Sequence, residues 1–125
     1  MLVGALLVAV GMLWYHESRK SGQSLSPQQA INLVNAEDGI FLDLRDGAEF
    51  GKGHIANSIN IPATKLDSRL AELEKYRDKP VVLVCKMGQT AGPAGKKLGE
   101  QGFGRVYRMA GGMMEWGQLQ LPLVK

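Results

Sequence analysis

VVLVCKMGQTAG, residues 81–92, joins a run of four aliphatic residues to Cys85, the only cysteine of the chain, and then to a short polar segment that contains Gly88. The aliphatic run is short, rich in β-branched residues and free of polar positions. These features are typical of a strand that is buried on both faces, as in a parallel sheet covered by helices. The fold and the function therefore both depend on what surrounds this stretch.

The rest of the chain alternates between strand-like and helix-like segments. Three further apolar runs predict strands: IFLDL (40–44), SINIP (58–62) and RVYRM (105–109). Helical patterns precede, separate or follow them: one begins at a capping box over residues 26–29, one contains leucines at positions 66, 70 and 73, and one covers residues 91–101. This alternation predicts an α/β fold with a mostly parallel sheet flanked by helices on both faces.

Composition excludes several classes of protein. A chain of 125 residues has the usual size of one domain, and its single cysteine cannot form an internal disulfide. The net charge of +3 is spread among acids with no dense basic run, so we expect no nucleic-acid partner. With one Cys and two His, the chain also lacks the ligands of a typical metal site, and no metal is expected.

The N-terminus is strongly apolar. Residues 1–15 carry no charge and end at Trp14 and Tyr15, and Arg19 and Lys20 follow. A helix of this length reaches about 22 Å, short of a roughly 30 Å hydrocarbon core. The aromatic and basic residues nevertheless favour an uncleaved membrane anchor over 1–17, a linker over 18–25 and a domain over 26–125, with an ordinary buried helix as the alternative. This interpretation predicts a single-pass protein of the inner membrane whose catalytic domain faces the cytoplasm.

The cysteine loop has the composition of an anion site. Ligands of open α/β sheets bind beyond the carboxyl ends of the strands, and Cys85 ends the most hydrophobic strand. Loop amides and the start of a helix near Ala91 would stabilise a thiolate there. Gly88 would allow a close backbone approach, Thr90 would cap the helix and Lys86 would add a positive charge. The alternative is an inert cysteine that ends a buried strand.

Three segments resemble the single-domain rhodaneses, which carry sulfane sulfur on a cysteine. They are LDLRDGAEFGKGHIANSINIP (42–62), VVLVCKMGQTA (81–91) and RMAGGMMEWGQLQLP (108–122). Together with the apolar N-terminus, they resemble the membrane-anchored rhodanese-like proteins of bacteria.

The resemblance implies a sulfurtransferase without a cofactor. Cys85 would be the catalytic residue, and the substrate-binding residues would be Lys86, Met87, Gly88, Gln89, Thr90 and Ala91. The donor would be thiosulfate or a persulfide and the acceptor a thiol or a cyanide-like nucleophile. Lys86 and Thr90 stand where many small rhodaneses carry Arg, which leaves the donor preference open. A membrane-protein partner is also left open, and the alternative function is a non-catalytic module that docks a partner at the membrane.

Other residues allow competing interpretations. Rhodanese-like phosphatases have a loop one residue longer that ends in Arg, whereas the sixth residue after Cys85 is Ala91. His54 could form a thiol-protease dyad with Cys85. We instead expect buried polar contacts for Asp43 and Arg45 and a hydrogen-bonded turn for His54. The family likeness puts three residues near the loop mouth, with core packing as the alternative: Met113, Met114 and Trp116.

Overall fold

The computed structural model describes residues 23–125 and contains one five-stranded sheet. The strands are β1 (Gln23–Leu25), β2 (Ile40–Asp43), β3 (Ile59–Asn60), β4 (Val81–Val84) and β5 (Val106–Met109). Their order across the sheet is β1-β5-β4-β2-β3, and all four neighbouring pairs are parallel. The predicted parallel α/β sheet is therefore confirmed, and β4 is its central strand.

Helices connect the strands. They are α1 (Pro27–Glu37), α2 (Gly47–Lys52), α3 (Ala91–Glu100) and α4 (Gly112–Gln118). The segment between β3 and β4 forms two 3₁₀ helices, Ala63–Lys65 and Asp67–Tyr76. The sequence predicted α1, α3 and a helical pattern before β4, but it did not predict the short helices α2 and α4.

Helix α1 begins where its capping box predicts. Ser26 Oγ accepts a hydrogen bond from the Gln29 amide at 3.2 Å, and the Ser26 amide donates to Gln29 Oε1 at 2.9 Å. Pro27 occupies the first helical position, where its missing N–H costs nothing. The helix ends at Asp38, whose backbone adopts a left-handed conformation with φ of 55°.

Two apolar clusters cover the two faces of the sheet. In the first, Leu42 and Leu83 pack with Leu98 of α3 and with the second 3₁₀ helix. The second cluster contains strand residues from β2 and β4 together with Ala30 of α1 and Trp116 of α4. Each face thus has its own helical layer, as predicted, and the site at the end of β4 stands on a strand buried from both sides.

The sheet begins earlier in the chain than expected. Residues 18–25 were predicted to be a linker, but Gln23–Leu25 form β1 and pair in parallel with β5. The Ala110 amide extends this pairing by donating to Leu25 O at 2.8 Å. An edge strand held by main-chain hydrogen bonds needs no apolar run, so its polar sequence resembles that of a linker.

The membrane assignment also needs correction. Within residues 23–125, no helix is long and apolar enough to cross a membrane. The 11-residue α1 extends only about 16 Å, at ~1.5 Å per residue, against the roughly 30 Å of a hydrocarbon core. The prediction of a single-pass inner-membrane protein facing the cytoplasm is therefore withdrawn, since no helix among the described residues supports a membrane span. The residues assigned to the anchor, 1–17, lie outside the described residues.

Candidate active site

Cys85 is the first residue after β4 and begins a loop that ends where α3 starts at Ala91. Its side chain is buried, with 3% of the residue exposed. The amide of Gly88 donates a hydrogen bond to Cys85 Sγ at 2.9 Å. Gly88 has φ of 94°, a left-handed conformation that glycine adopts without strain. The loop therefore folds back so that one of its own amides contacts the sulfur.

The remaining loop amides have no hydrogen-bond partner in the part of the chain that the structure describes. Within residues 23–125, no hydrogen bond is donated by the main-chain amides of Lys86, Met87, Gln89 and Thr90. These four residues are exposed at the carboxyl end of the central strand. A cluster of free amides is a common binding element for anions. The loop can thus offer donors to a bound anion without breaking existing contacts.

Two site predictions require qualification. The structure contradicts the predicted Thr90 cap: its side chain makes no capping hydrogen bond, because its backbone is helical (φ −82°, ψ −19°) rather than extended. Ala91 is fully buried and packs in the first apolar cluster, so its side chain does not face the loop mouth.

The Gly111–Gly112 turn and α4 fix the position of the loop. The amide of Met113 donates to Cys85 O at 2.8 Å, and that of Met114 donates to Lys86 O at 2.9 Å. A Cβ at Gly112 would lie 2.2 Å from Cys85 O, a distance that only glycine avoids here. The two methionines therefore lie beside the loop, as the family likeness predicted.

Trp116 belongs instead to the core. It is 2% exposed and packs edge-to-face on Phe41 with a centroid distance of 6.0 Å. Its indole N–H donates to Pro122 O at 3.0 Å. The expectation that Trp116 lies near the loop mouth is therefore wrong, and the alternative of core packing is confirmed.

Asp43 and Arg45 form the buried polar contact that was predicted. Arg45 Nη2 lies 2.8 Å from Asp43 Oδ2 and also donates to Gly53 O at 2.8 Å. The Arg45 amide donates to Asp43 Oδ1 at 3.0 Å. Asn60 donates to the carbonyls of both residues. This network joins β2 to α2 and β3, so its role is architectural.

His54 forms no dyad with the cysteine. Its Nδ1 lies 2.8 Å from Phe50 O, and its ring stacks on that of Phe50 at 3.7 Å. Among residues 23–125, no hydrogen bond links His54 to Cys85. The predicted hydrogen-bonded turn is confirmed, and the thiol-protease interpretation lacks its base.

A groove of about 550 Å³ opens beside the loop. We call it the loop groove; it is lined by Arg45, Glu49, Lys52, Gly53, Lys86, Met87, Met113, Met114 and Leu123. Lys86 Nζ lies 3.9 Å from Glu49 Oε1 across it. No sequence signal groups Lys52 and Leu123 with the loop, because these three distant segments meet only in the folded chain.

Comparison with known proteins agrees with this architecture. A family model described as Rhodanese-like domain matches residues 26–119. The uncharacterized protein YibN of Escherichia coli K12 is 36% identical over 122 residues, which cover 97% of this chain and 85% of YibN.

Two named sulfurtransferases are also similar. The thiosulfate sulfurtransferase GlpE of Shewanella oneidensis is 33% identical over 77% of this chain and 93% of its own length. The solution structure of the polysulfide-sulfur transferase homodimer of Wolinella succinogenes is 31% identical with a TM-score of 0.71, and covers 97% of this chain and 91% of that one. On the fold, the cysteine loop and these similarities, the chain belongs to the rhodanese-like domain family.

Proposed function

We propose that this chain is a sulfurtransferase that carries sulfane sulfur as a persulfide on Cys85. The observation that carries the proposal is the 2.9 Å hydrogen bond from the Gly88 amide to Cys85 Sγ. An amide donor directed at the sulfur can hydrogen-bond the negative charge of a thiolate, which is the nucleophilic form of a cysteine. The names of the two sulfurtransferase relatives support the same class of reaction.

In the first step, the Cys85 thiolate attacks the outer sulfur of the donor. With thiosulfate, the sulfur–sulfur bond of the donor breaks and sulfite leaves with its electron pair, while a new bond joins Cys85 Sγ to the transferred sulfur. The product is a Cys85 persulfide anion, so sulfur and charge both balance. The attacking species in this step is the thiolate, so the step itself transfers no proton.

In the second step, an acceptor nucleophile attacks the outer sulfur of the persulfide. The Cys85 thiolate leaves and is regenerated, and the acceptor gains one sulfur atom. A thiol acceptor becomes a persulfide, and cyanide becomes thiocyanate. The chemistry needs no cofactor.

We assign binding of the anionic donor to residues 86–91. The main-chain amides of Lys86, Met87, Gln89 and Thr90 support this role, since they donate no hydrogen bond to any residue of 23–125. Gly88 holds the sulfur, Lys86 adds a positive charge, and Ala91 contributes the start of α3 rather than its side chain. The amides stabilise negative charge on the persulfide in the way that an oxyanion hole does.

Two other functions have weaker support. A phosphatase would need an arginine in this loop to grip phosphate by a bidentate contact, and residues 86–91 contain none. A purely binding module has no use for a buried cysteine with an amide donor on its sulfur, which is the arrangement of Cys85 and Gly88.

The proposal is tested by thiocyanate formation from thiosulfate and cyanide. We expect turnover by the wild type and none by Cys85→Ser, since a hydroxyl cannot form the persulfide and the chain has no second thiol. Replacing thiosulfate by cysteine persulfide or polysulfide ranks the donors. Persistent transfer by Cys85→Ser, or hydrolysis of p-nitrophenyl phosphate by the wild type without any sulfur transfer, would contradict the assignment.

A further inference from the structure

The loop groove contains three of the five exposed large hydrophobic residues of the described chain. Among residues 23–125, five large hydrophobic residues are strongly exposed: Met87, Met114, Leu119, Leu123 and Val124. Three of them, Met87, Met114 and Leu123, line this one groove and are 48–54% exposed. Isolated apolar residues on a surface are ordinary, but a contiguous patch marks a site of interaction.

The groove adjoins the loop that begins at Cys85. Lys86 and Met87, which follow Cys85 directly, form part of its lining, and the amide of Met113, another lining residue, donates to Cys85 O. Its volume of about 550 Å³ is far larger than a cyanide or sulfite ion requires. Such a volume lies within the ~300–1,000 Å³ of clefts that hold larger ligands. A small donor or acceptor therefore leaves most of the groove unused.

The rim of the groove is positively charged. Three cations line it, Arg45, Lys52 and Lys86, against one carboxylate, Glu49. The charge of Arg45 is balanced by Asp43, and that of Lys86 by Glu49, which lies 3.9 Å away. The charge of Lys52 therefore gives the groove a net positive charge. Complementary charge steers and orients a partner more than it adds affinity.

We propose that the loop groove docks the sulfur acceptor, and that this acceptor is a protein segment presenting a cysteine thiol flanked by apolar and acidic residues. The inference rests on the proposed function. The acceptor thiolate attacks the outer sulfur of the Cys85 persulfide, the bond to Cys85 Sγ breaks, and Cys85 leaves as the thiolate. The acceptor becomes a persulfide, its proton having gone to solvent, so no oxidant or reductant is needed.

The test measures single-turnover transfer from protein loaded with thiosulfate and then desalted. The probes are two synthetic peptides, Asp-Leu-Cys-Leu-Asp and Lys-Leu-Cys-Leu-Lys, with cyanide as the small acceptor. Each peptide rate is divided by the rate of the same peptide with glutathione persulfide, which removes differences in intrinsic thiol reactivity. With the wild type, we expect the acidic peptide to react about tenfold faster than the basic one on this scale.

Two variants and two matched controls locate the effect. Leu123→Ser should slow the acidic peptide about fivefold and leave the cyanide rate unchanged, because it removes only apolar surface of the groove. Leu119→Ser is its control, since Leu119 is similarly exposed, at 51% against 48% for Leu123, but lies outside the groove. Lys52→Glu should reverse the preference between the peptides, whereas Lys79→Glu, outside the groove, should not.

Each contrary outcome has one meaning. If Leu123→Ser transferred sulfur to the acidic peptide as fast as the wild type does, the docking proposal would be overturned. So would a parallel loss of the cyanide rate, which would assign the groove to small substrates. An effect of Leu123→Ser on self-association in sedimentation, with unchanged transfer, would assign the groove to a second copy of the chain instead. Failure of the wild type to load sulfur at all would overturn the proposed function as well.

Discussion

Two charged pairs lie near the carboxyl ends of the neighbouring strands β2 and β4, and they differ in exposure and in the closeness of their contact. Asp43, at the end of β2, is 2% exposed in its side chain and is bound bidentately by Arg45. Lys86, after β4, is 71% exposed, and its ion-pair partner Glu49 lies 3.9 Å away. The buried pair is held by hydrogen bonds within the fold, and no buried side-chain polar atom among the described residues lacks a partner, whereas the exposed lysine keeps donors for a ligand.

This difference separates architecture from chemistry. Charged groups taken out of water must be fully paired, and they then fix the backbone that carries them. Groups that bind a passing substrate must remain incompletely paired, as do the amides of Lys86, Met87, Gln89 and Thr90. We therefore expect substitutions at the buried pair to change stability, and substitutions at the loop to change transfer.

The largest effect on stability is expected for Asp43→Ala. Removing the carboxylate leaves the Arg45 guanidinium, 11% exposed in its side chain, without its counter-ion. Breaking a buried pair in this way costs about 3–5 kcal/mol, and we expect that loss in the free energy of unfolding measured by urea denaturation.

The matched control is Glu37→Ala, which removes an exposed bidentate pair with Arg105. Because solvent replaces the lost partner, its effect should be much smaller. The hydrogen bonds from Arg105 lower the pKa of Glu37, so this pair stabilises the fold above the ordinary glutamate pKa. That contribution is lost as the pH falls through the lowered value. Similar losses for Asp43→Ala and Glu37→Ala at pH 7 would break the contrast between buried and exposed pairs.

The next largest effect is on transfer, from Gly112→Ala. The added Cβ meets Cys85 O at 2.2 Å and must displace the loop that carries the nucleophile. A displacement of about 1 Å costs roughly 100-fold in rate, and we expect thiosulfate-to-cyanide transfer to fall by about that factor.

Gly117→Ala is the control for this substitution. Gly117 lies in the same helix, and a Cβ there meets no atom within 4 Å. Alanine is the better helix former, so this variant should keep its activity and gain up to about 1 kcal/mol in stability. Full activity of Gly112→Ala would show that the Gly111–Gly112 turn does not position the loop.

The smallest expected effect is that of Lys86→Ala. An exposed charge near an anion site contributes about 1 kcal/mol, or roughly fivefold in kcat/KM for thiosulfate at low salt. The difference from wild type should shrink as salt is added, because exposed charges are screened within about 10 Å at 0.1 M ionic strength. A Lys86→Ala enzyme equal to wild type at low salt would leave binding of the donor to the loop amides alone.

The sequence predicted those elements for which a single local pattern is enough. The apolar runs predicted β2, β4 and β5 to within one residue at either end, because short runs rich in β-branched and other apolar residues are typical of buried strands. The capping box predicted the start of α1, and the order of strand, cysteine and helix predicted the position of Cys85.

The sequence did not predict features that depend on contacts between residues far apart in the chain. β1 is polar and is held by β5 through main-chain hydrogen bonds, so it left no apolar signal. Glu49 and Leu123 reach the loop groove from opposite sides of Lys86 in the sequence, and no spacing predicts that meeting. The Thr90 cap failed because the backbone there is already helical.

The central claim is that Cys85 is a sulfur carrier, and intact-protein mass spectrometry tests it most directly. After incubation with thiosulfate and desalting, the wild type should gain the mass of one sulfur atom and lose it on addition of cyanide. Cys85→Ser, treated in the same way, should gain nothing. A wild type whose mass does not change, or an added sulfur that remains in Cys85→Ser, would contradict the account.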